Sequence, residues 1–148
     1  MSGLAALAAK LRAVAAAMPA ELRVAAAEGG AHAVEETKKI MGTYPSGDGP
    51  FWEWPELKDS TQQSRVRAGY TPNNPLVASG TLKSTVSHKA LENGIGFKTG
   101  SSDPNIVFSE HGTSNEEPRP VLGHGVYESR EYIIERTISA VRRAFERA

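Results

Sequence analysis

An α+β fold is predicted, with N-terminal helices, a small antiparallel β-sheet built on a hairpin, an extended loop or arm, and a long C-terminal helix. Three observations carry the prediction. Apolar residues recur at spacings of three and four near both ends of the chain, which is the period of one helix face. Two short runs, 86–91 and 95–99, flank Glu92-Asn93-Gly94; Asn-Gly is a strong hairpin signal because both residues tolerate positive φ. Between the first helices and that hairpin lies a stretch dense in glycine, proline and aromatics, composition that favours irregular, extended chain. Helices at the two ends and a small antiparallel hairpin between them make an α+β pattern.

The elements follow in order. Leu4, Leu7, Leu11, Val14 and Met18 form one helical stripe, with alanine at most other positions, so propensity and pattern agree. Pro19 ends this helix or begins the next, because proline suits a first helical turn. A second helix runs from Ala20 to about Met41, with Leu22, Ala26, Ala33, Thr37 and Ile40 near one face and Gly29-Gly30 weakening its middle. Its small residues permit close packing against another helix. Gly42 to Pro55 (GTYPSGDGPFWEWP) holds five glycines and prolines before Phe51, Trp52 and Trp54. These three aromatics either anchor the arm on a neighbouring subunit or cover the domain's own core. Leu57 to Arg67 reads as a short polar helix capped by Asp59 or Ser60. Thr81 is positioned to cap one helical turn before the hairpin. Residues 105–111 are helix or strand; periodicity leaves both open. The tail is a helix with Tyr127, Glu131, Ile134, Ile138, Val141 and Phe145 on one face. The 148 residues make one domain in four segments: helical 1–41, loop or arm 42–78, hairpin and joint 79–122, and C-terminal helix 123–148.

Composition narrows the chemistry. Seventeen basic and seventeen acidic residues cancel, which argues against broad electrostatic capture of DNA. With no cysteine, disulfides, thiolate metal sites and thiol nucleophiles are excluded. No apolar run approaches the roughly 20 residues that span a bilayer. The alanine-rich start resembles a signal peptide loosely, but Lys10 and Arg12 interrupt it and no basic segment precedes it. It reads instead as an amphipathic helix of a soluble protein.

The sharpest catalytic candidate is VFSEHGTSNEEPRP, residues 107–120, where Glu110 and His111 are adjacent. Adjacent side chains diverge on helix and strand alike. His111 and His124 lie thirteen apart across two prolines and no HExxH occurs, so His32, His88, His111 and His124 read as surface or interface histidines rather than a zinc site. No GxSxG elbow or SxxK spacing is present. Gly94-Ile95-Gly96 and Gly47-Asp48-Gly49 lack the remaining residues of a phosphate loop. The exposed pair Glu116-Glu117 reads as solvated. No cofactor is expected.

A resemblance supplies a functional expectation. PLVASGTLKSTVS, a hairpin, and then VFSEHGTSNEEPRPVL together resemble the tail-component family of long-tailed bacteriophages typified by gene product ten of coliphage Hong Kong ninety-seven. That family carries a TGxLxxSI turn, a hairpin, an E-x-GT stretch, an RPF motif and a closing helix. The matches are Ser79-Gly80-Thr81-Leu82 with Ser84-Thr85-Val86, then Phe108, Glu110 and Gly112-Thr113, then Arg119-Pro120-Val121-Leu122. Trp54 to Leu76 resembles the tryptophan-containing insertion of some related morphogenesis proteins. Ser79 stands where threonine is usual, Val121 where phenylalanine is, and Gly123-His124-Gly125 where proline and alanine are common.

The resemblance implies a non-enzymatic virion protein of the neck or tail end. It would be assembled in the host bacterial cytoplasm, complete the tail and join it to the head as a homo-oligomeric, usually hexameric ring. Its partners would be head-side connector or stopper proteins and tail tube or terminator proteins, with DNA passing through the ring lumen without sequence-specific binding and no membrane involved. A tail terminator or minor tail component is the neighbouring alternative. A small metal-dependent hydrolase using Glu110, His111 and His124 is the alternative of another class. On the structural reading, Gly80 and Gly112 take backbone conformations that a side chain would strain. Leu82 belongs to the turn motif. Glu110 accepts hydrogen bonds around Thr113 or pairs with Arg119. Arg119 and Pro120 stiffen the lead-in to the last helix. Phe51, Trp52, Trp54, Glu116 and Glu117 are the candidate subunit contacts.

Overall fold

A computed structural model describes residues 3–148. Its elements are α1 (Gly3–Ile40), α2 (Asp59–Arg67), α3 (Thr81–Thr85), β1 (Val86–Ala90), β2 (Phe97–Ser101), α4 (Asn105–His111), α5 (Leu122–Glu128) and α6 (Arg130–Glu146). The two strands pair as an antiparallel hairpin, so the fold is α+β. The backbone groups into two compact units. One holds the described residues up to His32 with His88–Lys98 and Ser129–Ala148; the other holds Ala33–Ser87 and Thr99–Glu128. The four consecutive segments read from the sequence do not map onto these units, because α1 and both strands each contribute residues to the two.

The expected break at Pro19 does not occur: α1 continues through it for 38 residues. An internal proline removes one helical hydrogen bond and costs about 3 kcal/mol. The alanine-rich chain on both sides favours helix strongly enough to carry on across it. Continuity also changes the membrane reading. By length and composition alone, α1 is long and apolar enough to cross a bilayer, whereas the sequence read as two helices contained no such run.

In the first unit, α6 packs antiparallel along α1. Ile133 lies against Gly29, Arg136 pairs with Glu28 at 3.5 Å, and Arg143 donates to Glu21 at 2.6 Å. Thus positions rise along α6 as they fall along α1. A Cβ on Gly29 would meet Ile133 and Phe97 at 3.2 Å, and one on Gly30 would press into the His88 ring. The glycines that weaken a helix by propensity here admit neighbours to its surface. Glu21 is buried and receives both Arg143 and Arg147. The hydrogen bond from Arg143, opposed by burial and reinforced by the charge of Arg147, holds its carboxyl below the usual glutamate range.

The predicted face of the tail helix is inverted. Ala140 and Ala144 are buried, while Ile134 and Ile138 are more than half exposed and Phe145 is exposed. Close approach of two helices selects small residues, and a reading that follows large apolar residues misses that face. The tail is also divided, into α5 and α6, and Ser129, the residue that separates them in the chain, is buried.

The second unit has its own core of Ile40, Met41, Trp54, Val86, Ile106 and Val121, with Tyr44, Leu76 and Leu82 packed against it. Thr37 is buried and returns its hydroxyl proton to the Ala33 carbonyl at 2.7 Å, which satisfies it within the helix. The α2 cap differs from the expectation. Lys58 precedes the helix without a side-chain cap, and Asp59 occupies the first turn, where the helix dipole favours an acid. Gly80, at φ 84°, precedes α3 in place of Thr81. The hairpin connection is longer than a two-residue turn. Leu91 N–H donates to the Gly96 carbonyl at 2.9 Å and Gly94 N–H to the Leu91 carbonyl at 2.8 Å. Gly94 has positive φ but Asn93 does not; Asn93 instead accepts the Ile95 N–H on its side chain at 3.0 Å, an Asx turn.

Candidate functional site at the α4–α5 joint

Residues 105–111, open between helix and strand from sequence, form α4. Gly112 ends it at φ 71° and returns its N–H to the Phe108 carbonyl at 2.8 Å. A Cβ there would meet the Glu116 carbonyl oxygen at 2.8 Å and Pro118 at 2.9 Å, so both conformation and space require glycine. Thr113 then closes a tight loop. Its N–H donates to the Glu116 carbonyl at 2.8 Å, while its hydroxyl accepts from Asn115 N–H at 3.2 Å and Glu116 N–H at 3.1 Å. Arg119 N–H donates to the Ser109 carbonyl at 2.7 Å, tying the far side of the loop back to α4.

Glu110 does not pair with Arg119, nor does it serve Thr113. Its Oε1 accepts Val121 N–H at 2.7 Å and Leu122 N–H at 2.6 Å. A helix start leaves its first N–H groups without intrahelical acceptors, and a carboxylate there also meets the positive end of the helix dipole. Arg119 instead donates through one terminal nitrogen to the Pro55 carbonyl at 2.8 Å and the Glu56 carbonyl at 3.3 Å. Its guanidinium therefore holds the arm to the joint. The separation of the two residues follows from competition: each finds backbone groups that would otherwise lack a partner, and these outweigh a surface ion pair.

The arm's aromatics divide. Trp54 is 2% exposed in the core of its unit, whereas Trp52 is 68% exposed. Phe51 stacks on His124 at 4.9 Å between ring centroids and meets Tyr127 edge-on. The core reading of the arm therefore holds for Trp54, and of the three aromatics only Trp52 faces outward. His124, read from sequence as a surface or interface histidine, is buried under Phe51 and lies 3.3 Å from Glu128. His111 is exposed on α4. Among the described residues no three histidine, aspartate or glutamate side chains converge as a metal site. Glu116 and Glu117 are exposed, Leu82 packs on the core, and Pro120 is half-buried.

Sequence reasoning missed Arg65 and Lys58. Arg65 donates to the Asn74 and Val77 carbonyls, and burial, with Arg119 nearby, pulls its pKa below the ordinary arginine value. Lys58 donates to the Asn115 carbonyl at 3.3 Å. Together with Arg119 they line a depression of about 210 Å³ that Glu56, Glu116 and Glu117 also line. Its charges are mixed, and Arg65 and Arg119 each donate to backbone carbonyls there, so the arrangement braces loops, while Arg119 Nε is buried without a partner. No signal in the sequence ties residues 65 and 74, since loop carbonyl partners depend on the path of the chain. The chain matches no protein-family profile, no curated protein and no solved structure.

Proposed function

We propose that this chain is a structural subunit of a phage or phage-like particle that completes the tail and joins it to the head by assembling as a ring in the neck. One observation carries the reading. Four of the residues that make the chain resemble tail-completion proteins are engaged in shaping backbone: Glu110 caps α5, Gly112 turns the chain, Thr113 closes the loop and Arg119 ties the arm. Glu110, the acid a hydrolase would need as a general base, has one oxygen committed to two backbone donors. A subunit that works by fit needs such a braced loop more than it needs a free base. A ring requires heterologous contacts that close. Its head-side and tail-side partners would be connector and tube or terminator proteins.

The test is particle assembly in the absence of this protein. Accumulation of full heads and finished tails that do not join is expected. Normal joined particles would reject the reading.

A further inference from the structure

The hairpin tip sets an asparagine beside the one kind of neighbour that leaves its side chain free to react with the backbone. The chain has five asparagines, Asn73, Asn74, Asn93, Asn105 and Asn115. Pro75 follows Asn74 and offers no N–H. Asn74, Ile106 and Glu116 follow Asn73, Asn105 and Asn115, and their side chains crowd the peptide nitrogen. Of the five, Asn93 alone precedes glycine. Asn93 is exposed, and Gly94 takes φ 73° with no side chain beside its nitrogen.

The Asx turn supplies the geometry. Ile95 N–H donates to Asn93 Oδ1 at 3.0 Å. The ring this bond closes contains both Asn93 Cγ and the Gly94 nitrogen, so the turn folds the electrophile over the nucleophile. The same N–H faces the oxygen on which charge develops when Cγ is attacked. One contact opposes reaction: Gly94 N–H donates to the Leu91 carbonyl at 2.8 Å. That bond sits at the end of a two-stranded hairpin, with Leu91 43% exposed, where local opening costs little. The Asx bond is made by other atoms and does not depend on it.

We propose that Asn93-Gly94 is a self-modifying site, at which Asn93 loses its amide through a cyclic imide while the chain stays folded. The Gly94 nitrogen gives its proton to water and bonds to Asn93 Cγ. The Cγ–Nδ2 bond breaks, and Nδ2 leaves as ammonia. Water then opens the imide. Breaking its bond to Cγ gives aspartate. Breaking its bond to the main-chain carbonyl carbon gives isoaspartate, which routes the backbone through the side chain and adds a methylene to the connection between β1 and β2. Either product carries a new carboxylate. Arg23 of α1 lies against Gly94, its Nε 3.0 Å from where a Cβ would stand, and Glu92 and Lys98 line the open side of the tip. The new charge thus arrives beside two cations and one acid and meets no net repulsion.

The test uses the purified full chain, aged in its native state at mildly alkaline pH, with peptide mapping by mass spectrometry and isoaspartate located by fragmentation. Conversion at position 93 is expected ahead of every other asparagine, with isoaspartate present beside aspartate. The isoaspartate distinguishes passage through the imide from direct hydrolysis of the side chain. Asn93→Gln lengthens the side chain by a methylene, and Gly94→Ala crowds the nitrogen; each is expected to abolish isoaspartate at the tip. Asn93→Gln leaves Gly94 and its positive φ in place, so it keeps the test valid should Gly94→Ala distort the hairpin. In the converted chain the Leu91 and Gly94 amides are expected to lose protection from hydrogen exchange, because their bonds close the turn.

An Asn93 that stays unchanged in the native chain overturns the proposal; conversion of the same residue in urea-unfolded chain would then show that the turn shields it. Aspartate without isoaspartate at position 93 overturns it as well, as does conversion of other asparagines at an equal rate. Undiminished isoaspartate in Gly94→Ala would remove the role given to the glycine and overturn it too.

Discussion

Replacing Glu110 tests the central feature of the joint. Its carboxylate takes two backbone N–H groups at 2.7 and 2.6 Å, and one of them belongs to Val121, which is fully buried. Hydrogen bonds to a charged group contribute about 1.5–3 kcal/mol each, while loss of a helix cap costs about 0.5–2 kcal/mol in total. Glu110 is half-buried, and water can replace part of what it gives Leu122. Glu110→Ala is therefore expected to lose about 2–3 kcal/mol, placed between those two ranges. Glu110→Gln keeps a carbonyl oxygen and loses the charge, so about 1 kcal/mol is expected. The alanine variant should melt roughly 5–10 °C lower. Urea unfolding followed by circular dichroism measures the difference, and hydrogen exchange locates it, with Val121 and Leu122 amides losing protection first. An alanine variant within about 0.5 kcal/mol of wild type, with those two amides still protected, would refute the capping argument. Because Glu110 and Arg119 serve different backbone partners, a double-mutant cycle between them is expected to be additive within about 0.5 kcal/mol.

The same geometry sets three further outcomes. Glu21→Gln removes a carboxyl whose pKa is depressed below the ordinary 4.5 by its hydrogen bond from Arg143. A depressed carboxyl stabilises above its unfolded pKa and stops doing so as pH falls through its folded one. The wild-type advantage over Glu21→Gln should thus be constant near neutrality and shrink below about pH 4.5; a gap that does not change with pH would contradict the pairing. Gly112→Ala is expected to lose about 1–3 kcal/mol, from positive φ and the nearby Glu116 carbonyl, with chemical denaturation as the measure. Trp54→Ala should cost about 3–5 kcal/mol as a core deletion. Trp52→Ala should stay within about 0.5 kcal/mol in the isolated chain, and equal losses at both positions would show that the arm packs otherwise.

Signals confined to a few neighbouring residues are legible in the sequence. Asn93-Gly94 marks the hairpin, although the turn is closed by Leu91 and Gly96 and only the glycine takes positive φ. The glycines and prolines of residues 42–55 mark a loop. The need for glycine at positions 80 and 112 is read from their place in the motif, and both have positive φ. Each of these depends on backbone conformation within about one turn of chain.

Other features depend on what the chain meets in space. Pro19 looks like a boundary until alanine on both sides carries the helix through it. The apolar residues of α6 look like its core face until a close helix partner selects Ala140 and Ala144 instead. Phe51, Trp52 and Trp54 are alike as sequence, yet one stacks on a histidine, one is exposed and one is core. Glu110 and Arg119 attract each other as charges, yet each is drawn to backbone groups that only the folded chain presents. The order of amino acids thus suffices for the α+β class, the hairpin and the glycine turns, because their causes are local. Which faces are covered, and which partner each polar side chain takes, emerges only on folding, because burial and hydrogen bonding are settled by competition among groups distant along the chain.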